Sequence, residues 1–269
     1  MTDGAGGSPF RVICEIRPPV RPDLRLVHRQ VSALGAVCDA LLVPENAIGA
    51  PSISSLFIAR EVTLSGSAPI ACLNARDRNV LGLQRDLLTA VATGTRELLF
   101  VGGDPMPDGS RSGLTVRSMI DHTRAFTEAL GGEPVTVGVT SRLGPLPEWK
   151  LEADRLFVQA SFSLDVLVEW RERTSFPGDV YAGVIVPPSA SRARIWSAEL
   201  AGIDVPEELI ETLEEDPLAG VTFACDLVAQ IEACGAFDGV HLIPGVRYRE
   251  VASHLERRLR AGQIASSVR

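Results

Sequence analysis

A chain of 269 residues, 45% of them hydrophobic, is long enough for one large α/β domain with a sizeable core. Its formal charge of −8 and isoelectric point near 5.1 exclude a general nucleic-acid binder, because neutralising phosphates needs a basic surface. No run of about 18 apolar residues occurs, which excludes a membrane-spanning helix.

The opening MTDGAGGSPF has neither a basic region nor an apolar one. It is not a signal peptide, and residues 1–9 read as a disordered tail, so the expected location is cytoplasmic. A first strand, FRVICEI (10–16), leads to the helical PDLRLVHRQVSALG. CDALLV (38–43) leads to SISSLFIAREVTL, and APIACL (68–73) to NVLGLQRDLLTAVATG. ELLFVGG (97–103) leads to LTVRSMIDHTRAFTEALGG. PVTVGV (134–139) is followed by TSRLGPLPEWKLEAD, where Pro145 and Pro147 leave room for a turn or two of helix. RLFVQAS (155–161) precedes LDVLVEWRERT. VYAGVIV (180–186) precedes a long helical region in which Pro206 opens PEELIETLEED, with a solvated acidic face. FDGVHLI (237–243) precedes RYREVASHLERRLRAG.

The strands are often apolar at successive positions, as expected when both faces of a parallel sheet are covered. Gly35, Gly94, Gly131 and Gly235 stand where helices should end. Eight β/α units in roughly 250 residues predict a single-domain TIM barrel over residues 10–269, with a shortened unit after strand five and an extra helix before strand eight. A doubly wound sheet is the alternative.

In a TIM barrel the chemistry sits at the C-terminal ends of the strands. Glu15 lies in VICEI, where apolar residues are expected. Apolar neighbours favour its neutral form, as a general acid requires; the alternative is a salt-bridged glutamate of the rim. Gln159 can read the edge of an amide-like heterocycle, or be a hydrogen-bonded core amide. Asp104, after Gly102 and Gly103, is a fixed acceptor where backbone approaches a ligand, or the cap of a plain turn. Other strand ends offer Glu45, Asn46, Asn74, Arg76, Asp77, Thr140, Ser141, Arg142, Ser161 and Arg247. The four histidines form no metal-ligand spacing, so no metal is expected. His28, His122 and His254 read as surface residues of helices, and His241 as a satisfied core histidine. The five cysteines show no CxxC spacing, and Cys14, Cys38 and Cys72, inside apolar runs, read as buried structural thiols. No GxSxG, P-loop or GxGxxG is present.

The order of these pieces resembles the methylenetetrahydrofolate reductase family, from about Val12 to the last helix. CEIRPP resembles its opening strand, GGDPMP its fourth-strand end, FVQASF its sixth strand, YAGVIVPPSA its seventh and GAFDGVHLIPGVR its closing segment. The resemblance implies reduction of 5,10-methylenetetrahydrofolate to 5-methyltetrahydrofolate. It makes Glu15 the general acid and Asp104 and Gln159 the pterin contacts. Arg247 then meets the glutamate tail of folate or a cofactor phosphate. Asn46, Gly102, Gly103 and Arg142 are the expected cofactor contacts.

The family relays hydride through FAD, and here its flavin contacts are largely missing. Val43 or Pro44, Pro69 and Gly102 stand where it has a Thr, a His and an Arg, and the unit after strand five is cut down, with Lys150 its one possible survivor. Direct hydride transfer from NAD(P)H, NADH favoured, is therefore expected, without tightly bound FAD. The alternatives are a flavoenzyme with contacts rebuilt from Arg76, Arg111 or Arg142, and a non-catalytic folate-binding partner or sensor. Retention of Glu15 weighs against the last, since a binder needs no general acid. The oligomeric state stays open.

Overall fold

A computed structural model describes residues 9–46, 50–104, 112–131 and 133–267, with side chains as far as Leu259. Residues 1–8 of the expected tail lie outside them. Eight parallel strands close into a barrel in chain order, so the TIM-barrel expectation holds. They are β1 (Arg11–Glu15), β2 (Ala40–Val43), β3 (Pro69–Asn74), β4 (Glu97–Val101), β5 (Thr136–Ser141), β6 (Arg155–Ala160), β7 (Asp179–Ile185) and β8 (Gly239–Ile243). Around them run α1 (Arg25–Leu34), α2 (Ser55–Leu64), α3 (Val80–Ala92), α4 (Val116–Ala129), α5 (Leu164–Glu172), α6 (Ala190–Glu199), α7 (Glu207–Glu215), α8 (Ala219–Cys234) and α9 (Tyr248–Ser267).

The period of two along each strand divides the core. Ile13, Leu42, Ile70, Leu99, Phe157 and Tyr181 form a cluster inside the barrel. The alternate residues, such as Cys14, Leu41, Leu73, Phe100, Val139 and Leu242, pack outward against the helices. This is why the strands read as apolar on both faces. The foot of the barrel is closed differently. The first residues of β1, β4, β6 and β7 are all charged and meet inside. Arg11 pairs with Glu97 at 3.3 Å, and Arg155 pairs with Glu97 and, at 3.3 Å, with Asp179. The Tyr181 hydroxyl donates to Asp179 at 3.1 Å, and burial pushes its phenol up to about 12. Two arginines against two carboxylates neutralise one another there.

The segment between β5 and β6 holds one 3-10 stretch, Glu148–Glu152, as its prolines predict. Before β8 the chain exceeds expectation: α6 and α7 both precede α8, so two helices are added rather than one. They bury a satellite core around Phe162, Ala193, Leu209 and Ile210. The glutamates of α7 face outward, as expected. Gly94, Gly131 and Gly235 are left-handed at helix ends. Gly35 is not, with φ −62°. A Cβ there would lie 2.3 Å from the Ser67 hydroxyl of the α2–β3 loop and 2.8 Å from the Val31 carbonyl oxygen, so the position is crowded rather than left-handed. Cys14, Cys72 and Cys225 are buried, Cys38 is half-buried and Cys234 is exposed. Burial pushes the Cys225 thiol up to about 12 and raises that of Cys72 further, which leaves both protonated and unreactive.

The β6–β7 register shifts between Phe157 and Ala160, so that three steps along β6 match two along β7. The bulge includes Gln159 and requires Gly183 opposite it. A Cβ on Gly183 would lie 2.4 Å from the Val158 carbonyl oxygen and 2.6 Å from the Ala160 nitrogen. Both are backbone atoms with little room to give. Gly183→Ala is therefore expected to destabilise the barrel by about 1–3 kcal/mol, the cost of overpacking. Denaturant melts check this, and an unchanged midpoint would show that the bulge is not tightly held.

Candidate functional site

Glu15 is the last residue of β1 and faces inward, as its parity with Ile13 requires. The loop after it is clamped by the buried Gln30, whose amide accepts from Arg17 N at 2.8 Å and donates to Arg17 O at 3.0 Å. Across the β1–β8 seam, His241 Nε2 lies 3.2 Å from Glu15 Oε2. That is ion-pair distance, yet Nε2 is buried and makes no hydrogen bond among the described residues. The ring meets Phe157 edge-on, with centroids 5.8 Å apart. His241 is thus not the satisfied core histidine expected. The closing of β8 onto β1 turns it toward the carboxylate.

His241 also lines a cavity of about 540 Å³ at the mouth, with Thr140, Arg142, Lys150, Phe157 and Gln159 among its walls. Gln159 Nε2 donates to Ala201 O at 2.8 Å, so the α6–α7 loop reaches over β6 and orients the amide. Its Oε1 accepts no hydrogen bond among the described residues. Lys150 Nζ donates to Thr140 O at 2.8 Å. Burial, then the neighbouring Arg142, hold the Lys150 ammonium below its ordinary value. Arg142 and Lys150 make this lip cationic.

The ends of β2, β3 and β4 carry a second network. Glu45 Oε2 accepts from the Asn74 backbone at 2.8 Å and side chain at 2.7 Å, and Oε1 accepts from Arg78 at 2.6 Å. Asn46, in the left-handed region at φ 44°, donates to Asp77 at 2.9 Å and accepts from Ser52 N at 3.0 Å. Its side chain holds the loop. Arg76 binds Asp77 through two nitrogens and donates to the Asp104 carbonyl oxygen at 2.8 Å. Gly103 passes over this arginine at φ 82°, where a Cβ would lie 2.9 Å from Arg76 Cβ. Arg76 thereby sets the backbone of Gly102, Gly103 and Asp104, all exposed at the mouth. Residues 105–111, with the rest of the VGGDPMPDG motif and Arg111, lie outside the described residues.

Arg76, against a smaller effect of burial and helped by the amides of Asn46 and Asn74, holds the Asp77 carboxyl well below the usual carboxylate range. A depressed carboxylate stabilises the fold fully above its unfolded value, and that contribution shrinks as pH falls toward the folded value. Asp77→Asn is expected to be less stable than the parent at neutral pH, by about 1 kcal/mol, since the Asp77 carboxylate is still 29% exposed to screening solvent. The gap should narrow below about pH 4, the ordinary carboxylate value. Urea melts at neutral and acid pH test this; an equal gap at both would remove the charge from the account.

Arg247 ends the 3-10 turn Gly245–Arg247 and donates to the Pro188 carbonyl and to Glu250, both at 3.2 Å. It is not among the residues lining the cavity. Pro69, taken as the place of a flavin-contacting His, opens β3 at the foot of the barrel, away from the mouth. That correspondence is withdrawn: a strand's first residue cannot reach a ligand at its other end. Gln159 and Arg142 thus line the cavity with His241, and Glu15, itself outside the lining, stands 3.2 Å from that histidine, while Asn46, Gly102, Gly103 and Asp104 stand on the β2–β4 side. His241 was missed as a site residue, and Arg76 and Asp77, named at the strand ends, were not foreseen as a pair. The parity of His241 within GVHLI, on a strand that must close on β1, was the available signal. Among the described residues no group of His, Cys, Asp and Glu could hold a metal, and no helix is long and apolar enough to cross a membrane.

No family model matches the chain, and no curated protein sequence matches it. A solved structure described as an uncharacterized protein from Clostridium thermocellum that binds two copies of 5-methyl-5,6,7,8-tetrahydrofolic acid is similar over 93% of this chain and 94% of that one, with a TM-score of 0.64 at 10% identity. EDTA monooxygenase EmoA from Chelativorans sp. BNC1 matches over the same shares, 93% and 94%, with a TM-score of 0.50 at 10% identity. At such identity the likeness is one of fold: the chain shares the barrel of these proteins over nearly its whole length.

Proposed function

We propose that this barrel reduces 5,10-methylenetetrahydrofolate to 5-methyltetrahydrofolate, with hydride passing directly from NAD(P)H, NADH favoured. One observation carries the reading: an inward carboxyl group, Glu15, stands at the strand ends 3.2 Å from a histidine that lines an open cavity shared with Gln159. Opening the methylene bridge needs a proton on the departing nitrogen, and Glu15 supplies it. The carbon left behind accepts hydride, and the two reacting carbons must be held roughly 3–3.5 Å apart. Gln159 and Asp104 serve the amino-pyrimidinone edge, which offers both donors and an acceptor. The resemblance to methylenetetrahydrofolate reductases supports the same roles.

A resident FAD does not fit the residues present. Arg76 is engaged by Asp77, and Arg78 by Glu45 and Asp86. Arg142 and Lys150 form the cationic lip of the cavity and suit the diphosphate of a dinucleotide. Of the two residues that match one expected flavin position, Val43 is wholly buried and Pro44 half-buried.

The Clostridium thermocellum protein, with its two bound methyltetrahydrofolates, favours a second reading: a folate-binding protein without turnover. One experiment separates them. The purified chain, without added flavin, is expected to be colourless and to oxidise NADH only when methylenetetrahydrofolate is present. Stoichiometric flavin released from the protein would end the flavin-free mechanism. Folate binding without NADH oxidation would establish the second reading.

A further inference from the structure

We propose that His241 is a positioning residue for Glu15, holding its carboxyl group in the mouth and returning a proton to it after each turnover. This rests on the reductase reading above. His241 Nε2 lies 3.2 Å from Glu15 Oε2, yet it is buried and makes no hydrogen bond among the described residues. A buried polar atom kept without a hydrogen bond calls for a reason. The edge contact with Phe157 fixes the ring, and the residue lines the cavity while Nε2 itself stays buried.

The proton balance needs such a group. Reduction consumes one hydride and one proton. Glu15, as the acid, gives its proton to the nitrogen leaving the methylene carbon. The hydride then forms a C–H bond at that carbon, leaving the nicotinamide oxidised and Glu15 as a carboxylate. An imidazolium within reach returns the proton, becomes neutral, and takes another from water in the cavity. Histidine is the side chain whose ordinary titration lies nearest neutrality. Of the strands around His241, β1 presents Glu15, while β6 and β7 present Phe157 and Gly183. Cys72 inside the barrel stays a neutral thiol. The other charged groups of the cavity are Arg142 and Lys150.

The test is His241→Gln in the full chain, assayed with NADH and methylenetetrahydrofolate across the neutral pH range. The expected result is a kcat lower by roughly 100-fold, the low end for a positioned acid–base group, with KM unchanged and the alkaline limb of the kcat profile displaced. Free imidazole should restore part of the rate in His241→Ala, which a purely structural role would not allow. A kcat and pH profile matching the parent would overturn the proposal, as would equal losses in kcat and in folate binding. Should neither variant fold, ethoxyformylation of the parent decides. Loss of turnover that folate prevents and that maps to His241 supports the relay, and turnover surviving modification there overturns it. A parent that does not oxidise NADH takes the reductase reading and the relay down together. An active parent with a parent-like His241→Gln removes the relay alone.

Discussion

Glu15→Gln is expected to abolish most turnover, with kcat down by about 10²–10⁴-fold, the usual contribution of a positioned general acid. Folate binding should stay in the range of the parent. Glutamine keeps the size of the side chain and one acceptor oxygen, and it removes only the transferable proton. The rim alternative, a salt-bridged glutamate, predicts a different pattern. Glu15 does stand at ion-pair distance from His241, so both readings are live at the level of contacts. Loss of a structural pair would lower stability and leave kcat largely alone. Loss of the acid would lower kcat in a protein that melts like its parent. Steady-state kinetics, folate titration and a denaturant melt on the same preparation separate the two. Turnover equal to that of the parent would remove Glu15 from the mechanism.

Glu45→Ala is expected to act on the fold. The Arg78 side chain is 7% exposed and that of Glu45 11%. Burial pulls the Arg78 guanidinium down, but the bond and charge of Glu45, then Asp86, outweigh it, and the net direction is up. Removing Glu45 leaves a buried cation with Asp86, at 3.2 Å, as its one anionic partner beside the Asn74 carbonyl, and deprives the Asn74 backbone N–H of its acceptor. Breaking a buried pair costs about 3–5 kcal/mol, and the surviving partner places this case near 3. For a domain of this size that is a drop of roughly 6–12 °C in Tm. Glu45→Gln, which keeps an acceptor, should lose less. A Glu45→Ala melt within about 0.5 kcal/mol of the parent, the range of ordinary surface substitutions, would show that Asp86 suffices. This network joins the ends of β2 and β3, so its loss should also disturb the Asn46–Asp77–Arg76 chain that supports Asp104.

Much of the barrel was legible because its signals are local. Short apolar runs such as ELLFV and RLFVQA, broken by helical spacing, gave all eight strands at nearly their observed limits. Pro145 and Pro147 announced the missing helix after β5, since proline limits a helix wherever it falls. Other features depended on distant partners. Gly35 looked like a left-handed cap, but it keeps an ordinary helical φ and is crowded by the Val31 carbonyl and by Ser67, which approaches from the next β/α unit. The count of helices before β8 stayed open beyond two because α6 has little amphipathic contrast and buries only Ala190 and Ala193.

The candidate site divides along the same line. Residue type and strand-end position sufficed to pick Glu15, Gln159, Asp104 and Arg142, because a TIM barrel exposes those ends whatever else it does. Sequence alone therefore determined the fold class and the residue types that stand at the strands' C-terminal ends. Only the tertiary structure decided which of them meet. Closure of β8 on β1 sets His241 against Glu15, the β6 bulge opposite Gly183 and the Ala201 carbonyl orient Gln159, and the Arg76–Asp77 pair fixes the backbone at Asp104. Each is a contact between segments far apart in the chain, and its geometry follows from barrel closure and register, which no local pattern encodes.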